Sequence, residues 1–287
     1  MRAGFIGLGN LGKAIAGRLI EQGVELTVYN RTPEKADGLR GAVIASSARE
    51  VFETSDITFI CLFDSDAVAS VLMGADGLAG SSRCGIVVDI TTNHFDPVIE
   101  FHGFVADSGG TYLESPVLGS VVPAAKGLLT VLVSGPRDAY DKALPYLEKF
   151  GASIFHFQKQ GTATRMKLVN NLVLGSLMAT LAEALSLAEG VGLDKETALN
   201  VLGAGAGKSL VLEAKRQKLI EGNFSAHFSN ALIYKDLHCL QDMAYEMGRP
   251  VYTGALTKEL YADAMSRGLG HEDFSGIYRL FERKQAS

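Results

Sequence analysis

The stretch Gly4-Phe-Ile-Gly-Leu-Gly-Asn-Leu-Gly12 decides the fold. Gly7, Gly9 and Gly12 stand in G-x-G-x-x-G register directly behind the apolar pair Phe5-Ile6. The first glycine permits a tight turn, the second lets backbone approach a pyrophosphate, and the third lets the following helix, predicted over Lys13–Gln22, pack on the strand. The start of that helix, with the backbone of Leu8, Asn10 and Leu11, offers N–H groups to phosphate. A second strand, Val24-Glu-Leu-Thr-Val-Tyr29, arrives where a βαβ unit of about 30 residues puts it. These features together predict a dinucleotide site.

The end of the second strand selects the dinucleotide. An acidic residue about 20 positions beyond the glycines bonds the ribose 2′-hydroxyl in NAD-binding chains. Here Asn30-Arg31-Thr32 occupies that place. A carboxylate repels a 2′-phosphate, whereas a guanidinium takes it bidentately, so the reading is NADP(H) over NAD(H).

Up to about Gln158, strand-like runs alternate with helix-length segments: Ile57–Leu62, Gly85–Asp89, Thr111–Glu114, Leu128–Val133 and Ser153–Phe157. Near-continuous apolar runs suit strands buried on both faces, hence an α/β, doubly wound, mostly parallel sheet. Beyond Gly161 only helical patterns follow. A segment from about Ala163 to Gly190 is apolar almost all round, which predicts a long helix covered by domains or subunits. Further helices are expected around Lys195–Leu202, Leu210–Glu221, Ile233–Met247 and Gly254–Arg267. The predicted division is a Rossmann nucleotide domain over 1–161 and an all-α substrate and oligomerisation domain over 162–287.

With 287 residues, 47% of them hydrophobic, the chain can bury a large core. A net charge of −5 and the lack of basic runs argue against nucleic acid as partner. Cys61, Cys84 and Cys239 show neither disulfide nor zinc spacing, and the six histidines pair with no metal-ligand partner, so no metal is expected. A cytoplasmic protein is expected, because the nucleotide loop follows Met1-Arg2 too closely for a leader, and no run is read as a membrane span. Gly203-Ala-Gly-Ala-Gly-Lys-Ser209 imitates a phosphate loop, but G-x-x-x-x-G-K-[ST] needs glycine where Leu202 stands, and it follows a helix; it is read as an interhelical loop.

Four ordered motifs spanning essentially the whole chain resemble the β-hydroxyacid dehydrogenases, within them the glyoxylate and succinic-semialdehyde reductase branch. They are the Gly4–Gly12 fingerprint, Asp89-Ile-Thr-Thr92, Gly161-Thr-Ala-Thr-Arg-Met-Lys-Leu-Val-Asn-Asn171, and Lys235-Asp236. The resemblance implies hydride transfer between a nicotinamide and a small β- or γ-hydroxy acid, or its aldehyde or ketone, in a homodimer or homotetramer. Reducing a carbonyl develops negative charge on oxygen, and Lys167, in the most apolar helix, is the candidate general acid, its ammonium disfavoured by desolvation. Asn171, one turn on, faces the same way and is expected to hold substrate. Thr92 is expected beside the nicotinamide, with Leu62 and Phe63 lining the cofactor and Lys235 reaching it.

One segment departs from the pattern. Where the family reads Ala-Pro-Val-Ser-Gly, this chain has Ser115-Pro-Val-Leu-Gly-Ser120, so Leu118 replaces a serine that binds the substrate carboxylate, leaving Gly119 and Ser120 backbone N–H groups. Alternative readings are an imine reductase-like enzyme, which usually lacks the lysine, and a catalytically weak NADP(H)-binding protein, favoured only by Leu118.

Overall fold

The computed structural model describes residues 1–282. The chain divides into two compact units, Met1–Lys167 and a second from Leu168 onward.

In the first unit, strands β1 (Ala3–Ile6), β2 (Leu26–Tyr29), β3 (Val43–Ile44), β4 (Ile57–Ile60), β5 (Ile86–Asp89), β6 (Thr111–Glu114), β7 (Val117–Leu118), β8 (Leu129–Ser134) and β9 (Gly151–Phe157) form one sheet. Its order is β3-β2-β1-β4-β5-β6-β8-β7, with β9 also on β8. Neighbours from β3 to β6, and β8 with β9, run parallel, while β8 is antiparallel to β6 and β7. Helices α1 (Asn10–Glu21), α2 (Ala48–Thr54), α3 (Ser65–Met73), α4 (Pro97–Asp107), α5 (Val121–Lys126) and α6 (Arg137–Leu147) connect them. Two hydrophobic cores explain the apolar runs. Phe5, Phe59 and Val88 point into the core with Ile15, Leu19 and Leu147, whereas Ile6, Ile60 and Val87 point into the other, with Val51, Val68 and Phe101. Successive strand residues therefore bury on opposite faces, as a doubly wound sheet requires.

Helix α7 (Thr162–Gly190) runs from the first unit into the second. The second unit is all-helical: α8 (Lys195–Ala204), α9 (Leu210–Glu221), α10 (Asn230–Glu246), α11 (Tyr252–Ser266) and a 3-10 segment, Phe274–Leu280. One expectation about α7 needs correction. Its length and composition do suffice to cross a membrane, contrary to the reading that no run does. The same composition makes a core helix, and its first turn is built into the sheet: Ala163 N–H donates to Ser134 Oγ at 2.8 Å and Thr164 N–H to Glu114 at 3.1 Å. Burial of α7 between domains or subunits was expected, and within the single chain one flank is open. Met178, Ala182 and Leu185 are fully buried, but Val173 is 55% and Leu187 68% exposed.

Buried polar contacts fasten the second unit. Lys215 of α9 reaches Asp273 Oδ1 at 2.8 Å and lies 4.7 Å from the centre of the Phe274 ring. Asp273 also accepts from Ser275 Oγ at 2.7 Å and from His227 N–H at 3.1 Å.

Candidate functional site

The glycine loop is fixed by close approach. Gly7 has φ +97°, and a Cβ there would lie 2.2 Å from the Cys61 carbonyl oxygen; one at Gly12 would lie 2.0 Å from the Gly7 oxygen. Both glycines are thus required by the protein's own backbone. Gly9 differs: a Cβ there would meet nothing within 4 Å. This exposed glycine opens α1, which has no side-chain cap and no acidic residue in its first turn. An open Cβ position beside an uncapped helix start fits a pyrophosphate. Leu8 N–H donates to Asn30 Oδ1 at 2.8 Å, and Asn30 Nδ2 to the Thr32 oxygen at 2.9 Å, so Asn30 ties the loop to the end of β2. Leu8 is buried, Leu11 half-buried and Asn10 exposed. Arg31 is exposed and makes no hydrogen bond or ion pair among the described residues, leaving its guanidinium available to a ligand.

At the ends of β4 and β5, Leu62 N–H donates to Thr91 Oγ1 at 3.0 Å. The buried Asp89 carboxylate accepts from Thr91 N–H at 2.9 Å, Asn93 Nδ2 at 2.8 Å and Tyr112 OH at 2.5 Å. Burial pushes its carboxyl above the usual range, against those donors. Thr92 is half-buried within this clamped turn, and Phe63 is 52% exposed. Asp89 was legible as part of a motif, but its role as the knot holding this turn was not.

Lys167 is only 7% exposed, and its Nζ donates to the Val117 oxygen at 2.8 Å. The structure therefore joins the candidate acid to the segment that departs from the family pattern. Leu118 is half-buried and pairs with Thr130. Gly119 adopts φ +121°, where a Cβ would press on Leu129, and Ser120 opens α5. In the second unit, Asn171 is fully buried. Its Nδ2 donates to Asp236 Oδ2 at 2.6 Å and its Oδ1 accepts from Asn170 at 3.1 Å. Asp236 also faces Lys235 Nζ at 3.0 Å, so one carboxylate links Asn171 with Lys235. The phosphate-loop imitation is interhelical: α8 ends at Ala204, and Ser209 Oγ caps α9 by accepting from Leu212 N–H at 3.1 Å. No cluster able to hold a metal occurs among the described residues.

Two family models divide the chain. Residues 2–158 match the NAD binding domain of 6-phosphogluconate dehydrogenase, and residues 161–281 match the NAD-binding domain of NADP-dependent 3-hydroxyisobutyrate dehydrogenase. The chain belongs to the β-hydroxyacid dehydrogenase family. Glyoxylate/succinic semialdehyde reductase 2, chloroplastic, of Arabidopsis thaliana is 35% identical over 96% of this chain and 77% of its own length. Cytokine-like nuclear factor N-PAC of Gallus gallus is 34% identical over 98% of this chain; the chain spans about half, 51%, of that relative. Among solved structures, Psf3 in complex with NADP+ and 2-OPP superposes with a TM-score of 0.92 at 29% identity, covering 98% of this chain and 100% of the other. A Rossmann domain followed by a helical domain is thus the family architecture, and a nicotinamide dinucleotide is the family cofactor.

Proposed function

We propose that the chain is an NADP(H)-dependent oxidoreductase of a small β- or γ-hydroxy acid or the corresponding aldehyde or ketone, acting in the cytoplasm as a homodimer or homotetramer. The observation that carries this reading is Lys167, a buried cation one hydrogen bond from Val117, beside the candidate substrate residues Leu118, Gly119 and Ser120. In this reading Gly7, Leu8, Gly9, Asn10 and Leu11 hold the pyrophosphate, and Asn30, Arg31 and Thr32 the adenosine ribose with its 2′-phosphate. Leu62, Phe63, Thr92 and Lys235 serve the rest of the cofactor, whose nicotinamide supplies or accepts hydride when bound. Lys167 gives its proton to the carbonyl oxygen as charge develops there, and Asn171 orients the substrate. The exposed apolar residues of α7, Val173 and Leu187 among them, support self-association. NADPH-dependent turnover of glyoxylate, succinic semialdehyde, methylglyoxal and tartronate semialdehyde tests the proposal, and binding of NADPH without any turnover would favour the second reading, a weakly catalytic NADP(H) binder.

Arg31 sets cofactor choice in this reading. NADPH is expected to bind at least about tenfold tighter than NADH, since one bidentate phosphate contact contributes more than about 1.4 kcal/mol. Arg31→Asp is expected to invert the order by repelling the phosphate. Titration of both cofactors by fluorescence measures this, and equal dissociation constants in the wild type would refute it.

Leu118 sets substrate choice. Leu118→Ser is expected to raise kcat/KM for glyoxylate and succinic semialdehyde about tenfold, the equivalent of one recovered hydrogen bond to a carboxylate. If the native substrate presents an apolar group to Leu118, the same change lowers activity on that substrate while the small acids gain little. An unchanged profile across the panel places Leu118 outside the pocket.

A further inference from the structure

The start of α7 is held by a group that the proposed chemistry does not use. Glu114, at the end of β6, is almost wholly buried. Its Oε1 accepts the Gly161 N–H and faces His102 Nε2 at 3.0 Å, and its Oε2 accepts the Thr164 N–H at 3.1 Å. Ser134, at the end of β8, accepts the Ala163 N–H at 2.8 Å. Three N–H groups of the first turn, which a helix cannot satisfy internally, are thus closed by side chains from strand ends. A carboxylate at that terminus also complements the helix dipole.

The clamp closes on itself. Three residues beyond Glu114, the Val117 oxygen receives Lys167 Nζ at 2.8 Å, and three residues beyond Thr164 stands Lys167. Glu114 to Val117 and Gly161 to Lys167 are therefore bound to each other at both ends. His102, which holds Glu114 from α4, packs edge-on against Tyr112 with ring centres 4.8 Å apart, and Tyr112 OH donates to Asp89. The same network thereby reaches the turn that carries Thr92.

We propose that Glu114 is a positioning residue: by gripping the first turn of α7 it fixes where along the Val117–Leu118 strand the Lys167 ammonium stands. It touches neither substrate nor cofactor and acts through Lys167, so the inference rests on the proposed role of that lysine. Glu114→Gln keeps the size of the side chain but turns one acceptor oxygen into a donor facing N–H groups, which breaks the clamp.

The test uses the full chain with NADPH and succinic semialdehyde, well below the variant's melting temperature. Glu114→Gln is expected to lower kcat about tenfold or more, with the NADPH dissociation constant within twofold of wild type, and Glu114→Asp to restore part of the loss. A wild-type kcat in Glu114→Gln with a lowered melting temperature would overturn the proposal, since that is what a purely structural clamp does. If Glu114→Gln fails to fold, Ser134→Ala removes the neighbouring contact; a severalfold loss of kcat at unchanged NADPH affinity supports the proposal, and no loss overturns it. Competitive acetylation with acetic anhydride reads the lysine without turnover, so that an inactive wild type, which would sink the proposed reaction, leaves this claim testable. Labelling of Lys167 is expected to rise severalfold in Glu114→Gln while the buried Lys215 stays constant; a joint rise, or none, overturns the positioning role.

Discussion

Lys167→Ala is expected to lower kcat by about 10²–10⁴ while NADPH affinity stays nearly unchanged, because proton donation to the carbonyl oxygen is made only in the transition state. Lys167 is buried and hydrogen-bonded to a backbone oxygen, so removing it deletes a positioned donor. The loss corresponds to roughly 3–5.5 kcal/mol of barrier at about 1.4 kcal/mol per decade. Lys167→Arg should recover little, since a guanidinium gives up its proton far less readily than an ammonium. Steady-state rates with NADPH and the acid panel, alongside a fluorescence titration of cofactor, measure both quantities. A Lys167→Ala enzyme with near-normal kcat would mean that water or another group donates the proton.

The largest expected effect on stability lies at the pair that fastens the second unit. Lys215→Met leaves the wholly buried Asp273 carboxylate without its cation, and stranding one partner of a buried pair costs about 3–5 kcal/mol. The melting temperature of that unit is expected to fall by about 10–20 °C. Combining it with Asp273→Asn should recover part of the loss, because the uncompensated charge is then gone. A drop of less than a few degrees would show that Ser275 and the His227 N–H suffice to hold the charge. The pair also has a pH signature. Burial raises the Asp273 carboxyl, but the Lys215 ammonium, Ser275 and the His227 N–H outweigh it and hold it below its ordinary value of 3.8. A depressed carboxyl stabilises the fold at pH above its unfolded value and loses that contribution as pH falls through the folded one. The contribution of Asp273 is therefore complete at neutral pH and disappears in acid below about pH 4.

What was legible in the sequence follows from how local each signal is. The glycine loop could be read because each glycine answers to a short-range demand, and the structure shows two of the three pressed against backbone oxygens. The helices of the second unit could be read from their periodicity; α8, α9, α10 and α11 begin within three residues of the expected positions. Helix α1 starts at Asn10 instead of Lys13, because Gly9 serves as its N-cap despite lacking a side chain. Strands β3 and β7 were missed, since two residues leave no alternation to detect. The exposed flank of α7 could not be foreseen, because a helix apolar all round carries no mark of which face its own chain covers.

The polar groups around the candidate site were the least legible. Lys167, Asn171, Lys235 and Asp236 came from motifs, but Glu114 did not, nor did the bond between Asp236 and Asn171. Glu114 lies 47 residues before the Gly161 it caps, and Asp236 lies 65 residues after Asn171. No spacing rule connects such pairs; only strand order and helix packing bring them together. Asp89 was visible as a motif letter, and its bonds to Thr91 and Asn93 are local, yet its grip on Tyr112 depends on β5 and β6 being neighbours in register.

Oxidation of NADPH by the purified wild-type chain, followed at the cofactor's absorbance with glyoxylate, succinic semialdehyde, methylglyoxal and tartronate semialdehyde, tests the proposed function most directly. At least one of these acids or aldehydes is expected to be reduced, faster with NADPH than with NADH at equal subsaturating concentration. Tight NADPH binding with no turnover of any of them, or turnover indifferent to the 2′-phosphate, would contradict it.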